Sequence, residues 1–369
     1  MAPRKFRRYV KLSVWGAVCS LAFAPFFLFF TFFWGFKRLL ENLFHDFANK
    51  KEVFFTGFAW GFGYFLGSFH WVINPLLFDF PRYAVFIPPA LVLIPSFLGC
   101  YIGLIFFILH RIRKKFNLEN RFALSIIFSG LWVIFELCKS YLFFPFPFNL
   151  IAHSLGFSSI LMQTASIFGS YALSFFTAVI YCGYFIFAGG KTRKIYAVSY
   201  SLLILFIAGF GIVRLVGGGQ NGEKFGVRAR LVQPNFGENV KNNPNMFEYM
   251  LGELISDMGE GADIVFLPET SLPFAIINNH NKNLELFKNV DAILSGAIMV
   301  ENDKIYNSIA LIENEKVADS YNKIHLVPFG EYLPLRKFLP GFLSNFVGID
   351  FSKGDKGKNV LEVGKIGKI

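Results

Sequence analysis

Cysteine is scarce in this chain: four occur in 369 residues, and none follows Cys182. Cys19, Cys100, Cys138 and Cys182 each stand inside an apolar run, which disfavours a disulfide framework and reads as buried membrane thiols. Histidine is sparse as well. The six histidines have no paired ligand spacing, so no zinc or other metal site is expected, and no motif asks for a cofactor. Charge is missing from long stretches. Val53–Phe78 and Ala84–Leu109 contain no Asp, Glu, Lys or Arg, and each is long enough to cross a bilayer as a helix.

What is present fits those absences. Hydrophobic residues make up 54% of the chain, 50 of them phenylalanine, and mean hydropathy is +0.47. An integral membrane protein follows. The net charge of +11 would suggest a nucleic-acid partner in a soluble chain. Here Lys and Arg cluster in short segments between apolar runs, as orientation signals do, and no nucleic acid is expected.

The basic N-terminus (Arg4, Lys5, Arg7, Arg8, Lys11) precedes an uncharged run, Leu12–Phe36. Ala22-Phe23-Ala24 has the small-x-small pattern of a signal-peptide cleavage site. Pro25 directly after it disfavours cleavage, so an uncleaved first helix is predicted. A break at Pro25, with a second helix to about Phe47, keeps Lys37, Arg38, Lys50 and Lys51 on the same side as the N-terminus. Val53–Phe78, Ala84–Leu109, Phe122–Phe144, Ile160–Ala188 and Ile195–Val213 bring the expected total to seven helices. Glu136 and Lys139, one helical turn apart, are expected to neutralise each other. Basic residues crowd the loops after helices two, four and six, while the opposite loops hold only Arg82. The N-terminus is then cytoplasmic and everything after Val213 lies outside.

Three segments are expected: a membrane domain at 1–216, a Gly-rich linker at 217–224, and a domain at 225–369. In the last, Val227–Val232, Asp263–Leu267 and Ala292–Ile298 read as strands, Pro244–Met258 and Lys282–Val290 as helices. Ile305–Ile312 and Val317–Leu326 read as a hairpin about Glu313-Asn314-Glu315-Lys316. Alternating strands and helices followed by a hairpin predict an α/β sandwich. The loop running through Phe338 and Phe346 is apolar enough to dip into lipid.

Chemistry gathers at strand ends. Glu269 closes Ile264-Val265-Phe266-Leu267-Pro268-Glu269, and Lys323 ends a strand-like run. Glu331 follows eight residues later in Pro328-Phe329-Gly330-Glu331-Tyr332. Two carboxylates and an ammonium are parts that can activate a nucleophile and stabilise an oxyanion.

These residues, behind seven membrane helices, resemble the apolipoprotein N-acyltransferase family. Ala22-Phe23-Ala24-Pro25, Trp60–Ser68, Phe168–Ser174, Val232-Gln233-Pro234-Asn235 and Tyr306-Asn307-Ser308 add to the likeness. The resemblance implies an extracytoplasmic nitrilase-like (carbon–nitrogen hydrolase) αββα sandwich, here incomplete at its C-terminus. It implies a Glu–Lys–Cys mechanism with Glu269 as general base, Lys323 holding the oxyanion and Glu331 as an additional carboxylate beside them. A phospholipid would donate its acyl chain through a thioester to the α-amine of diacylglyceryl-cysteine apolipoproteins at the inner membrane, the enzyme acting as a monomer.

The chain departs from that pattern. The family's cysteine sits in an Ile-Cys-Tyr-Glu-like motif beyond the Glu331 loop, and this sequence stops at Val363-Gly364-Lys365-Ile366-Gly367-Lys368-Ile369. The expectation is a chain truncated before its nucleophile. Asn242 and Phe148 also stand where many members have tryptophan. A catalytically inactive membrane protein that binds lipid or lipoprotein and a membrane-tethered amidase are the competing readings.

Overall fold

The computed structural model describes the chain except residues 1, 79, 82, 143–146, 189–192, 218–225, 242, 329, 335, 337–349, 356–359, 364–366 and 369. The expectations for Arg82, the linker, Asn242, the apolar loop around Phe338–Phe346, and parts of the outer and basic loops lie outside the described residues. The chain divides into two compact units, Met1–Gln220 and Asn221–Ile369.

The first unit is helical. α1 (Ala2–Cys19) already contains the basic N-terminal residues, so the helix begins before the uncharged run. After a turn containing Pro25, which has no N–H for a helical hydrogen bond, come α2 (Thr31–Leu40) and a 3₁₀ turn at Glu41–Phe44. The break falls where proline predicts it. At ten residues, however, α2 is only about 15 Å long, too short to span alone.

α3 (Lys50–Phe69) is capped by the Asn49 side chain, which accepts the Glu52 N–H at 3.0 Å. Glu52 accepts in turn from Lys5 and Arg8, tying α3 to α1. Then follow α4 (Asn74–Phe78), α5 (Ile87–Lys115), α6 (Arg121–Tyr141), α7 (Ser159–Met162), α8 (Ala165–Tyr181), α9 (Gly183–Phe187) and α10 (Arg193–Gly217). Among the described residues, four segments are long and apolar enough to cross a membrane. They are Ala84–Lys115, Arg121–Tyr141, Ala165–Phe187 and Tyr196–Gly217.

Aromatic rings fill the core of this unit. Phe36 is fully buried and meets Phe128, Trp132 and Trp60 at centroid distances of 5.0, 5.2 and 5.7 Å. Glu136 and Lys139 on α6 are buried too, and among the described residues no direct salt-bridge contact joins them. Glu136 Oε1 instead accepts from Trp132 Nε1 and from the Ile151 N–H, while Lys139 Nζ donates to the Phe148 carbonyl. The two opposite charges act on each other across the helical turn, while Trp132 and a loop backbone supply their hydrogen-bond partners. The thiols are less uniform than expected: Cys19 and Cys182 are buried, Cys138 is intermediate and Cys100 is exposed on α5.

The second unit is built on a mixed sheet of β1 (Ala229–Leu231), β2 (Ile264–Leu267), β3 (Ile276–Ile277), β4 (Ala292–Glu301), β5 (Lys304–Glu313) and β6 (Lys316–Asn322). The order is β1-β2-β4-β5-β6, with β3 also on β4. β1, β2 and β4 run parallel, whereas β4, β5 and β6 form an antiparallel meander. The hairpin turn between β5 and β6 falls on Asn314 and Glu315, both at positive φ, as a two-residue turn of the primed type requires. α11 (Glu238–Lys241) is a single turn, and α12 (Phe247–Met258) lays Leu251, Leu254 and Met258 on the sheet face carrying Val265, Ile293, Ala310 and Ile312.

The opposite face gathers Ile264, Ala292 and Leu311 with Val363, which lies in β7 (Glu362–Val363) paired to β8 (Gly367–Lys368). Leu231 and Ile309 remain exposed.

Candidate active site

The site forms at the ends of β2 and β6, which flank the β4–β5 pair in the sheet. Glu269 follows β2 by one proline. The Thr270 backbone after it has φ of 50°, a left-handed conformation that threonine seldom takes outside functional turns. Gly296 on β4 makes room for this turn: a Cβ there would stand 2.5 Å from Glu269 Cα. Ser271 secures the exit, with its N–H on the Gly296 carbonyl.

Lys323 is fixed by its backbone on both sides. Its N–H donates to the Asn307 carbonyl at 2.8 Å, and its own carbonyl accepts the Gly354 N–H at 3.0 Å. Any Cβ at Gly354 would come within 2.1 Å of the Asn322 carbonyl, so glycine is needed for that approach. Glu331 is carried in by the loop after β6, whose turn closes with the Glu331 N–H on the Val327 carbonyl at 2.8 Å. Beneath it, Asp350 accepts from Arg336 and from the Leu333 N–H. The Arg336 guanidinium, aided by that N–H, holds the Asp350 carboxyl below its ordinary range.

All three predicted site residues therefore meet. Lys323 Nζ lies 3.3 Å from Glu269 Oε1 and 3.0 Å from Glu331 Oε1. Burial alone would lower the Lys323 pKa, but hydrogen bonds to Glu331 and Glu269 outweigh it and raise the value. Burial likewise pushes the Glu331 carboxyl up. Donors from Asn307, the Val327 N–H and Lys323 win, leaving it low. The ammonium is thus charged at any physiological pH, with Glu331 ionised beside it.

Exposure separates the two acids: the Glu269 side chain is 64% exposed and that of Glu331 11%. A cavity of about 390 Å³ opens next to them, with Phe266, Leu294 and Ile309 forming its apolar wall and Glu269 and Lys323 at its polar end. An open carboxylate beside a fixed cation is able to take a proton while the cation faces a developing negative charge. Among the described residues, no group of His, Cys, Asp and Glu is arranged to hold a metal ion.

Comparison with known proteins identifies the scaffold. The chain is 31% identical over 359 residues to the apolipoprotein N-acyltransferase of Rickettsia prowazekii (strain Madrid E), covering 93% of this chain and 70% of the relative. The chain belongs to the apolipoprotein N-acyltransferase family. The family model for the apolipoprotein N-acyltransferase N-terminal domain matches residues 15–183. The Aquifex aeolicus (strain VF5) apolipoprotein N-acyltransferase is 30% identical over 322 residues, 85% of this chain and 70% of the relative. That of Sinorhizobium medicae (strain WSM419) is 28% identical over 350 residues, covering 88% and 65%.

Sequence reading of this N-acyltransferase relative missed the supports of the site. Asn307 reaches both carboxylates with its amide Nδ2–H, and Gly296 and Gly354 permit two close backbone approaches. Asn307 did carry a signal, as a polar pair Asn307-Ser308 inside the apolar run Ile305–Ile312. The glycines carried none, because their neighbours across the sheet are distant in sequence.

Proposed function

We propose that the chain serves apolipoprotein N-acylation by a thioester route. Glu269 is the general base, Lys323 binds the tetrahedral oxyanion, and Glu331 holds Lys323 in place. The observation that carries this reading is the convergence of Lys323 Nζ on Glu269 and Glu331, in a chain of this family. In the proposed reaction Glu269 takes the proton of a cysteine thiol, and the thiolate attacks the ester carbonyl of a membrane phospholipid. The ester C–O bond then breaks, leaving a thioester and a lysophospholipid alkoxide that recovers the proton from Glu269. The thioester then gives the acyl group to the α-amine of a diacylglyceryl-cysteine lipoprotein. Each tetrahedral intermediate carries an oxyanion for Lys323 to meet. The second unit is read as part of a nitrilase-like αββα sandwich on the periplasmic side, and the first as seven inner-membrane helices with a cytoplasmic N-terminus. The Lys and Arg distribution supports that orientation. A periplasm-specific reporter fused after Gly222 should be active, and activity only from a cytoplasmic reporter would overturn the crossing count.

One observation supports a second reading, an inactive lipid- or lipoprotein-binding member: the second unit holds no cysteine. A chimera tests both. Residues 1–369 would be joined to the C-terminal remainder of the Rickettsia prowazekii relative and placed in an acyltransferase-depleted strain. The catalytic reading expects the chimera to restore growth and Glu269→Gln to abolish it. Growth that is indifferent to Glu269→Gln would leave the binding reading.

A further inference from the structure

Asn307 lies within β5 opposite Ile298 of β4 and is 8% exposed. Its amide Nδ2 donates to Glu269 Oε1 and to Glu331 Oε1. Lys323 Nζ donates to the same two oxygens, at 3.3 and 3.0 Å. The four atoms close a ring in which two acceptor oxygens alternate with two nitrogen donors. The second oxygen of Glu331 is also taken, by the Val327 N–H at 2.6 Å. Glu269 Oε2 has no such partner among the described residues.

We propose that Asn307 is a positioning residue of this site, which ties Glu269 by Oε1 alone and leaves Oε2 open to receive a proton. The inference rests on Glu269 being the base, and it names the atom that acts. An amide carries two hydrogens in one plane, so one Asn can serve two carboxylates at once. It does so without adding charge. Two carboxylates this close repel, and without compensation one of them would hold its proton. Lys323 supplies one positive charge for two negative ones, and the Asn307 amide supplies further donors to the ionised forms. A base tied at neither oxygen would lose its alignment, and one tied at both would have no oxygen left for the proton.

The test uses the full chain in membranes. Carboxyl groups are labelled with a water-soluble carbodiimide and an amine across a pH series, and Glu269 and Glu331 are read separately by peptide mass spectrometry. Carbodiimide attacks the protonated carboxyl, so the midpoint of labelling reports each acid. Asn307→Asp, the same shape with an acceptor in place of the donor, should move both midpoints upward by about one pH unit or more. Asn307→Leu, which removes the donor without adding charge, should move both in the same direction by less. Exposed Glu315 in the β5–β6 turn should label as before in each variant, showing that the hairpin has kept its form. Unmoved midpoints in both variants, or movement of Glu331 alone, would overturn the proposal. This result and the chimera fail separately: midpoints can shift together even if transfer proves indifferent to Glu269.

Discussion

Lys323 and Asn307 face each other where β6 ends on β5. The Lys323 N–H donates to the Asn307 carbonyl at 2.8 Å, and both side chains reach the same oxygens of Glu269 and Glu331. One backbone hydrogen bond thus sets the register of an ammonium against an amide. Neither side chain has to search for its partners, because the strand pairing has already placed them. For the proposed role of Lys323, a cation must be fixed before negative charge develops, and the sheet fixes this one.

The first prediction concerns that ammonium. Loss of one preorganised oxyanion donor costs about 10²–10³ in rate. Arginine presents a planar fork where a compact ammonium sits between two oxygens, so it does not substitute. In the chimera, Lys323→Ala and Lys323→Arg should both fail to restore growth, with protein levels unchanged on an immunoblot. Normal growth with either would remove Lys323 from the mechanism.

The second concerns pH. Glu331 has a folded pKa below its ordinary 4.5, so its contribution to stability is present above 4.5 and is lost as pH falls through the folded value. Lys323 has a folded pKa above its ordinary 10.5, so its contribution is complete below 10.5 and is lost as pH rises through the folded value. Between those two pH values the cluster's contribution should be level. Protease resistance of the second unit should fall off on both sides of the plateau, and Glu331→Gln should weaken the acid limb. A steady slope across the interval would mean that other groups dominate.

Much of the site was legible because its chemistry sits at strand ends. Glu269 and Lys323 close runs whose alternation and apolarity mark strands, and Glu331 sits in a Pro- and Gly-bounded loop. Asn307 stood in the sequence within the family-like Tyr306-Asn307-Ser308 and as an interruption in an apolar strand, with no role attached to it. Nothing local tells that its amide would find two acids 38 and 24 residues away. The helical unit was legible where charge is absent over long runs, as in α5 and α10. It was less so near the N-terminus, where a turn with Phe27 at positive φ precedes α2 and a 3₁₀ turn at Glu41–Phe44 follows it, so that the helix is shorter than its apolar run. The fate of Glu136 and Lys139 was hidden for the same reason as that of Asn307. Spacing on a helix says which side chains are able to meet, and a loop backbone can offer each a better partner.

The third prediction is chemical. A thioester needs a thiolate beside Glu269 and Lys323, and the second unit contains no cysteine. Incubated with labelled phosphatidylethanolamine, the 369-residue chain should form no hydroxylamine-labile acyl adduct. An adduct abolished by substituting Cys19, Cys100, Cys138 or Cys182 would show that the nucleophile lies in the helical unit, and that the cluster described here is not the acylation site.

The last prediction returns to α6. Glu136 Oε1 accepts from Trp132 Nε1 at 3.0 Å and from the Ile151 N–H at 2.6 Å, and Lys139 Nζ donates to the Phe148 carbonyl. Two side chains one turn apart thereby hold the backbone from Phe148 to Ile151, and Asn149 adds a third tie to the Ser68 carbonyl at 3.1 Å. Glu136→Leu strands two buried donors, and each unsatisfied group costs about 1–3 kcal/mol. Glu136→Gln keeps a carbonyl acceptor and should cost less. Lys139→Met leaves the Glu136 charge without a nearby cation, so the double variant Glu136→Leu/Lys139→Met should lose less than the sum of the single losses. Thermal unfolding in detergent measures all four. Equal melting temperatures for Glu136→Leu and Glu136→Gln would mean that hydrogen bonding to Trp132 and Ile151 does not stabilise the loop. Strict additivity in the double variant would mean that the two charges do not sense each other.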